Sequence, residues 1–147
     1  MEKDEAFQIS EWHYEEPYSF YDFRSDLEDA KEFLDFSNRP EGKYFSVVDE
    51  SGGLVGFYEL THKGNSIEIG LGMRPDLTGK GIGLAYVRAG IEFIQETFSP
   101  EILTLFVLSS NMRARVVYER AGFKNVRTLM IENDLGKNEF VEMHLRL

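Results

Sequence analysis

The sequence predicts a mixed α/β (α+β) fold: a single domain over residues 1–147, built on a central sheet of about six to seven strands with helices on both faces. Three observations carry this. The stretch 44–73 reads as strands joined by two glycine-bearing turns, Ser51-Gly52-Gly53 and Lys63-Gly64-Asn65. After Pro75 the period changes: Leu84, Val87, Ile91, Ile94 and Phe98 recur at three- and four-residue steps, as on an amphipathic helix. The apolar run 102–108 then reads as a buried strand, and a strand–helix–strand unit of this kind closes as a parallel, right-handed crossover.

Taken in order, a first strand is expected over 6–12, followed by an irregular stretch with short helical turns over 15–26. Ser25 or Asp26 caps a helix that runs to about Phe36, with Leu27, Ala30, Phe33 and Leu34 at helical spacing, and 38–42 breaks it. Strands over 44–49, 54–61 and 66–73 are most simply antiparallel. The long helix runs from Gly81 to a stop before Pro100. Asn111 caps a further helix that ends at Ala121, with Gly122 as its stop and Phe123 packing back over the last turn. Two last strands, 126–132 and 139–147, flank a turn over 134–138.

The 147 residues are 42% hydrophobic and 14% aromatic, which supports a packed core and excludes a disordered chain. No apolar run reaches the ~20 residues that span a bilayer, and the acidic N-terminus lacks the apolar centre of a signal peptide. With no cysteine there is neither a disulfide nor a thiol nucleophile. A cytoplasmic protein without membrane attachment is the default expectation. The histidines do not stand at ligand spacing with acidic residues, so no metal is expected. The net charge of −10 argues against a nucleic-acid partner. It is unevenly placed. Residues 1–73 carry 6 basic and 17 acidic side chains, whereas 74–127 carry 8 basic and 5 acidic. A basic segment inside an acidic chain suits an anionic ligand on one side and a cationic one on the other; a solvated surface gives the same count.

The informative stretch lies between a strand and the long helix. Gly79, Gly81 and Gly83 bring bare amides to the helix N-terminus, where donors lack intrahelical partners and the dipole favours an anion; Lys80 adds a positive charge. The stretch is not a P-loop, because Gly81 follows Lys80 where Ser or Thr would bind magnesium. It is not a dinucleotide fingerprint either, because the glycines are spaced G-x-G-x-G and hairpins precede them. On the later helix, Asn111 and Tyr118 are seven residues apart and project from nearly the same face.

Together the two stretches resemble the GNAT superfamily of acyl-CoA-dependent N-acetyltransferases. The family's CoA loop, roughly [Q/R]-x-x-G-x-[G/A], is matched by Thr78, Gly79, Lys80, Gly81, Ile82 and Gly83, with Thr78 departing from the usual Gln or Arg. The motif N-x-x-A-x-x-x-Y-E-x-x-G-F is matched by Asn111, Ala114, Tyr118, Glu119, Gly122 and Phe123. The strand 67–73 with the Arg-Pro after it looks most like the branch of ribosomal-protein N-terminal acetyltransferases. The likeness is close over 44–147 and extends to general layout only before that.

The resemblance implies acetyl-CoA as co-substrate, lying in a V where strands 67–73 and 102–108 splay. Backbone groups of Leu71, Gly72 and Met73 would pair with the pantetheine arm. Amides of Thr78, Gly79, Lys80, Gly81, Ile82, Gly83 and Leu84 would hold the pyrophosphate. Asn111 would bond the cofactor arm, and Arg113 and Arg115 are neighbours of the phosphates or part of a solvated face. A neutral amine attacks the thioester directly. Tyr118 is expected to protonate the leaving thiolate and an amide near Met73 to hold the developing oxyanion. Glu68 is expected to deprotonate the amine, with His62 and His144 as weaker alternatives. The acceptor is a small cationic amine or a peptide or protein amine. The aromatic run Trp12, Tyr14, Tyr18, Phe20, Tyr21 and Phe23, set among acidic residues, either packs in the core or walls the acceptor pocket. The alternative is a non-catalytic domain that binds acyl-CoA as a sensor or interaction module. A homodimer is an expectation by analogy with the superfamily.

Overall fold

The computed structural model describes residues 1–133 and 136–147. The first two residues of the expected 134–138 turn therefore lie outside the described residues, and 136–138 already belong to the last strand. Helices α1 (Lys3–Ser10) and α2 (Leu27–Leu34) come first, separated by two 3-10 turns, Tyr18–Tyr21 and Phe23–Ser25. Then follow β1 (Tyr44–Val48), β2 (Leu54–Lys63), β3 (Ser66–Met73), α3 (Gly83–Phe98), β4 (Ile102–Leu108), α4 (Met112–Ala121), β5 (Lys124–Asn133) and β6 (Gly136–Arg146).

The strand expected over 6–12 is replaced by α1. Glu2 N–H donates to Glu5 Oε1 at 2.8 Å, which fixes the first turn, and Ala6, Ile9 and Ser10 are buried at helical spacing. The seventh strand thereby disappears, and the sheet has six strands. Asp26 caps α2, accepting from the amides of Glu28 and Asp29. Of the apolar stripe expected on α2, Phe33 is fully buried while Leu27 stands 68% exposed, because only one turn of so short a helix reaches the core.

The strand order is β1-β2-β3-β4-β6-β5, and every pairing is antiparallel except β3 with β4. The two faces bury different clusters. On one, Ala6 and Ile9 of α1 and Phe33 of α2 pack on Tyr44 and Phe57. On the other, Val87 and Ile94 of α3 cover Tyr58, Leu60, Ile67, Ile69, Leu103, Leu105 and Met143, with Ala114, Val117 and Tyr118 of α4 at the margin.

The parallel pair sets the site. Only Ser66, Ile67 and Glu68 pair with β4, opposite Ile102, Leu103 and Thr104. Beyond that rung β3 stays bonded to β2 as far as Met73, and β4 stays bonded to β6 as far as Leu108. The two middle strands therefore part into a V. Close approach keeps the β3 arm in place: a Cβ on Gly72 would lie 2.0 Å from Phe57 Cε1.

Candidate active site

One arm of the V offers backbone. Arg74 N–H donates to Val55 C=O at 2.8 Å, so alternation along the antiparallel ladder turns the backbone groups of Met73 and Leu71 away from β2 and into the opening. Gly72 faces β2 instead, and its carbonyl also accepts from Tyr86 Oη at 2.8 Å.

The loop between β3 and α3 adds a row of donors. Gly79 and Gly81 adopt φ of 71° and 78°, left-handed values that glycine takes without strain. Among the described residues, no oxygen accepts from the amides of Gly79, Lys80, Gly81, Ile82, Gly83 or Leu84. Thr78 does not share this role: its N–H and its hydroxyl both donate to Pro75 C=O, at 3.2 and 2.6 Å. The N-cap residue of α3, Ile82, has no side chain to satisfy the helix donors. These six amides and the exposed Lys80 suit a pyrophosphate, and an added Cβ on Gly81 would meet open space.

Helix α4 forms the second wall. Asn111 Oδ1 caps it by accepting from Ala114 N–H at 3.1 Å, and Asn111 Nδ2 donates to Tyr21 Oη at 3.0 Å, so that side chain is committed twice. The two arginines diverge. Arg113 lies beside the glycine loop, 3.5 Å from where a Gly79 Cβ would stand, with its guanidinium 3.9 Å above the Tyr18 ring. Arg115 turns back to donate to Ser109 C=O at 2.9 Å. Residues two apart on a helix point about 200° from one another, so both cannot face the same ligand. Tyr118 packs on Phe123 with ring centroids 6.1 Å apart. Burial pushes its phenol above the ordinary value and nearby Tyr21 adds to this, so it is protonated at neutral pH. Among the described residues its hydroxyl has no hydrogen-bond partner.

The segment 12–23 spans the mouth of the V on the α1/α2 face. Tyr14 Oη donates to Met73 C=O at 2.7 Å, Tyr21 receives Asn111, and Phe20 lies 6.1 Å from Phe140 of β6. Buried Asp22 holds this strap together, accepting from Tyr14 N–H at 2.8 Å and pairing with His13 Nδ1 at 2.6 Å. The aromatic run divides between the two expected roles: Trp12 and Phe23 join the core around Phe57, while Tyr14, Tyr18 and Tyr21 reach the V.

Glu68 stands on the last paired rung, on the strap face, bound to Lys63. His62 is on the opposite face against Phe98, centroids 4.9 Å apart. His144 lies on the same face as Glu68 and bonds Glu142 at 2.9 Å. Sequence reasoning passed over Glu142 and the strap's contacts with Met73 and Asn111, which depend on strand order and on long-range packing. Among the described residues, no group of three His, Asp or Glu side chains is arranged to hold a metal, and no helix is long and apolar enough to cross a membrane.

Residues 1–124 match the family model of the Acetyltransferase (GNAT) domain. The chain belongs to the GNAT acetyltransferase family. Among curated relatives, this GNAT chain is 40% identical over 86 residues to a mycothiol acetyltransferase of Propionibacterium freudenreichii subsp. shermanii, covering 54% of this chain and 27% of the relative. It is 33% identical over 86 residues to that of Salinispora tropica, with 54% and 28% covered. The chain thus spans about a quarter of the length of those relatives. Among solved structures, the fold is shared with a GNAT-family acetyltransferase from Bacillus anthracis (TM-score 0.75, 17% identity, 99% of this chain and 91% of that one). It is also shared with spermidine N-acetyltransferase from Vibrio cholerae in complex with CoA and spermine (TM-score 0.67, 22% identity, 99% and 92% covered). These relatives carry mycothiol and spermidine in their names, not the ribosomal-protein branch that the strand 67–73 suggested.

Proposed function

We propose that the protein is an acetyl-CoA-dependent N-acetyltransferase acting on a primary amine, with one catalytic domain over the whole chain. The observation that carries this is the row of unbonded amides at 79–84, set where β3 leaves the V and α3 begins, with Arg113 beside it. No nucleotide motif accounts for that row, and a pyrophosphate does.

When bound, acetyl-CoA supplies the acyl group as a thioester. The chain's own residues do the rest. Amides 79–84, Lys80 and Arg113 hold the diphosphate end. The outward backbone groups of Leu71 and Met73 align the arm along β3, and the Met73 amide is placed for the developing oxyanion. Tyr118, half-buried, protonated and without a protein partner among the described residues, has a proton to give to the departing sulfur. Asn111 reaches the arm once its contact with Tyr21 opens. Proton removal from the amine falls to the strap face of the last rung, the row that Glu68 shares with Thr104 and His144. The strap, with Asp22 and the tyrosines, shapes the acceptor side, and the acidic excess of 1–73 favours a small cationic amine. The names of the spermidine and mycothiol enzymes agree with a small-molecule amine. The likeness of 67–73 to the ribosomal-protein branch is the one observation that favours a peptide N-terminus instead.

The test is thiol release from acetyl-CoA with spermidine, an aminoglycoside, lysine amide and a peptide with a free N-terminus. The expected result is stoichiometric acetyl-amine and free thiol with at least one of them. Acetyl-CoA binding without turnover of any amine would instead favour the non-catalytic sensor.

A further inference from the structure

Two side chains of β6 stand on the strap face with no part in the reading above. Glu142 is 9% exposed. Its Oε1 accepts from Arg127 at 3.1 Å and its Oε2 meets His144 Nε2 at 2.9 Å. With Nε2 donating to the carboxylate, Nδ1 of His144 keeps a lone pair and can accept a proton.

The sheet register says where that lone pair is. Thr104 of β4 pairs with Glu68 on one side and with His144 on the other. Residues paired across neighbouring strands share a face, so Glu68, Thr104 and His144 form one row. That row is the final rung before β3 and β4 part. Strands lie about 4.8 Å apart, so the imidazole starts about 5 Å from Thr104 at the apex of the V. The strap roofs this side of the sheet through Phe20 on Phe140, two residues before Glu142 on the same face. Glu68, at the other end of the row, is tied to Lys63.

The geometry points to His144, positioned by Glu142, as the base that takes the proton from the acceptor ammonium; this rests on the acetyl-transfer reading above. The ammonium gives one proton to His144 Nδ1, which passes it to solvent. The freed nitrogen lone pair forms the N–C bond to the acyl carbon while the C–S bond breaks. Sulfur takes the Tyr118 proton, and the second proton shed by the nitrogen restores Tyr118. Glu142 does not touch the substrate; it fixes the ring and its tautomer. The other charged groups on this face of the sheet are Arg146 from β6 itself, Arg127 and Lys124 from β5, and Glu68 with Lys63 from the hairpin, while the strap on this side carries the His13–Asp22 pair.

The experiment measures steady-state kinetics at saturating acetyl-CoA with spermidine, lysine amide and a free-N-terminus peptide, for wild type, His144→Gln, Glu142→Gln, the double variant and His62→Gln. His144→Gln is expected to lower kcat about a hundredfold at pH 7 with unchanged acetyl-CoA affinity. Activity should recover as pH rises toward the acceptor's own pKa, about 10 for spermidine or a lysine side chain and about 8 for a peptide N-terminus, where solution supplies the neutral amine. Glu142→Gln should lower kcat by a smaller factor without raising KM, and the double variant should be no slower than His144→Gln, because the two act as one unit. His62→Gln, on the other face, should match wild type. Full activity in His144→Gln, or a loss that high pH does not rescue, overturns the assignment while leaving acetyl transfer intact. A wild type that releases no thiol with any of the amines overturns acetyl transfer and the assignment with it.

Discussion

The donor side and the strap side of the V are built from different materials. Acetyl-CoA is to be held by backbone: six amides at 79–84 and the outward groups of Leu71 and Met73. The acceptor is to be met by side chains: Glu68, His144 and three tyrosines, positioned by Asp22 and Glu142 and carried on a strap between two short helices and on separate strands. Backbone donors need glycine and a helix start, so they leave a local signature. A side-chain pocket gathered from 12–23, β3 and β6 leaves none. The two sides nevertheless touch, because Tyr14 holds Met73 and Tyr21 holds Asn111.

The largest expected effect falls where the sides meet. Tyr118→Phe should lower kcat about a hundredfold with acetyl-CoA affinity nearly unchanged, read by steady-state kinetics beside calorimetry. Equal losses in kcat and in affinity would make Tyr118 a binding residue. Gly72→Ala comes next. Its Cβ would overlap the Phe57 ring that α1 and α2 pack on, so urea unfolding should show a loss of about 3 kcal/mol. Unchanged stability would mean that the β3 arm is free to move away from β2.

The arginines sharpen the contrast within α4. Arg113→Ala should weaken acetyl-CoA binding about tenfold at low salt and less at high salt. Arg115→Ala should leave affinity alone and cost about 1 kcal/mol of stability through its bond to Ser109. The smallest effect is at the strap. Tyr14→Phe removes one hydrogen bond to Met73, about 1 kcal/mol by chemical unfolding. Acetyl-CoA affinity should stay at or above that of wild type, since the Met73 carbonyl is released; a fall would make Tyr14 part of the donor site.

Local chemistry explains what could be read in advance. Strands 66–73 and 102–108 were legible because turn glycines and Pro100 bound apolar runs of the right length. The helix 112–121 was legible because Asn111 caps it and Gly122, at φ 108°, ends it. Residues 6–12 misled because an eight-residue helix shows only two turns of its pattern, and burial of Ala6 and Ile9 depends on Phe33 and Phe57 from elsewhere. Arg113 could not be told from Arg115 before the rotation of α4 was known. Glu142 was invisible because β6 lies between β4 and β5, an order that sequence does not display.

The central claim is that bare amides at 79–84 bind the donor, and calorimetric titration of acetyl-CoA into wild type, Gly81→Ala and Gly81→Glu tests it most directly. Both substitutions carry the same left-handed strain, about 1 kcal/mol, and only Glu sets a carboxylate against the amides. One-to-one binding by wild type, retained within about tenfold by Ala and lost by more than about a hundredfold in Glu, is the predicted result. Wild type that does not bind acetyl-CoA, or Gly81→Glu that binds it as tightly, would contradict the account.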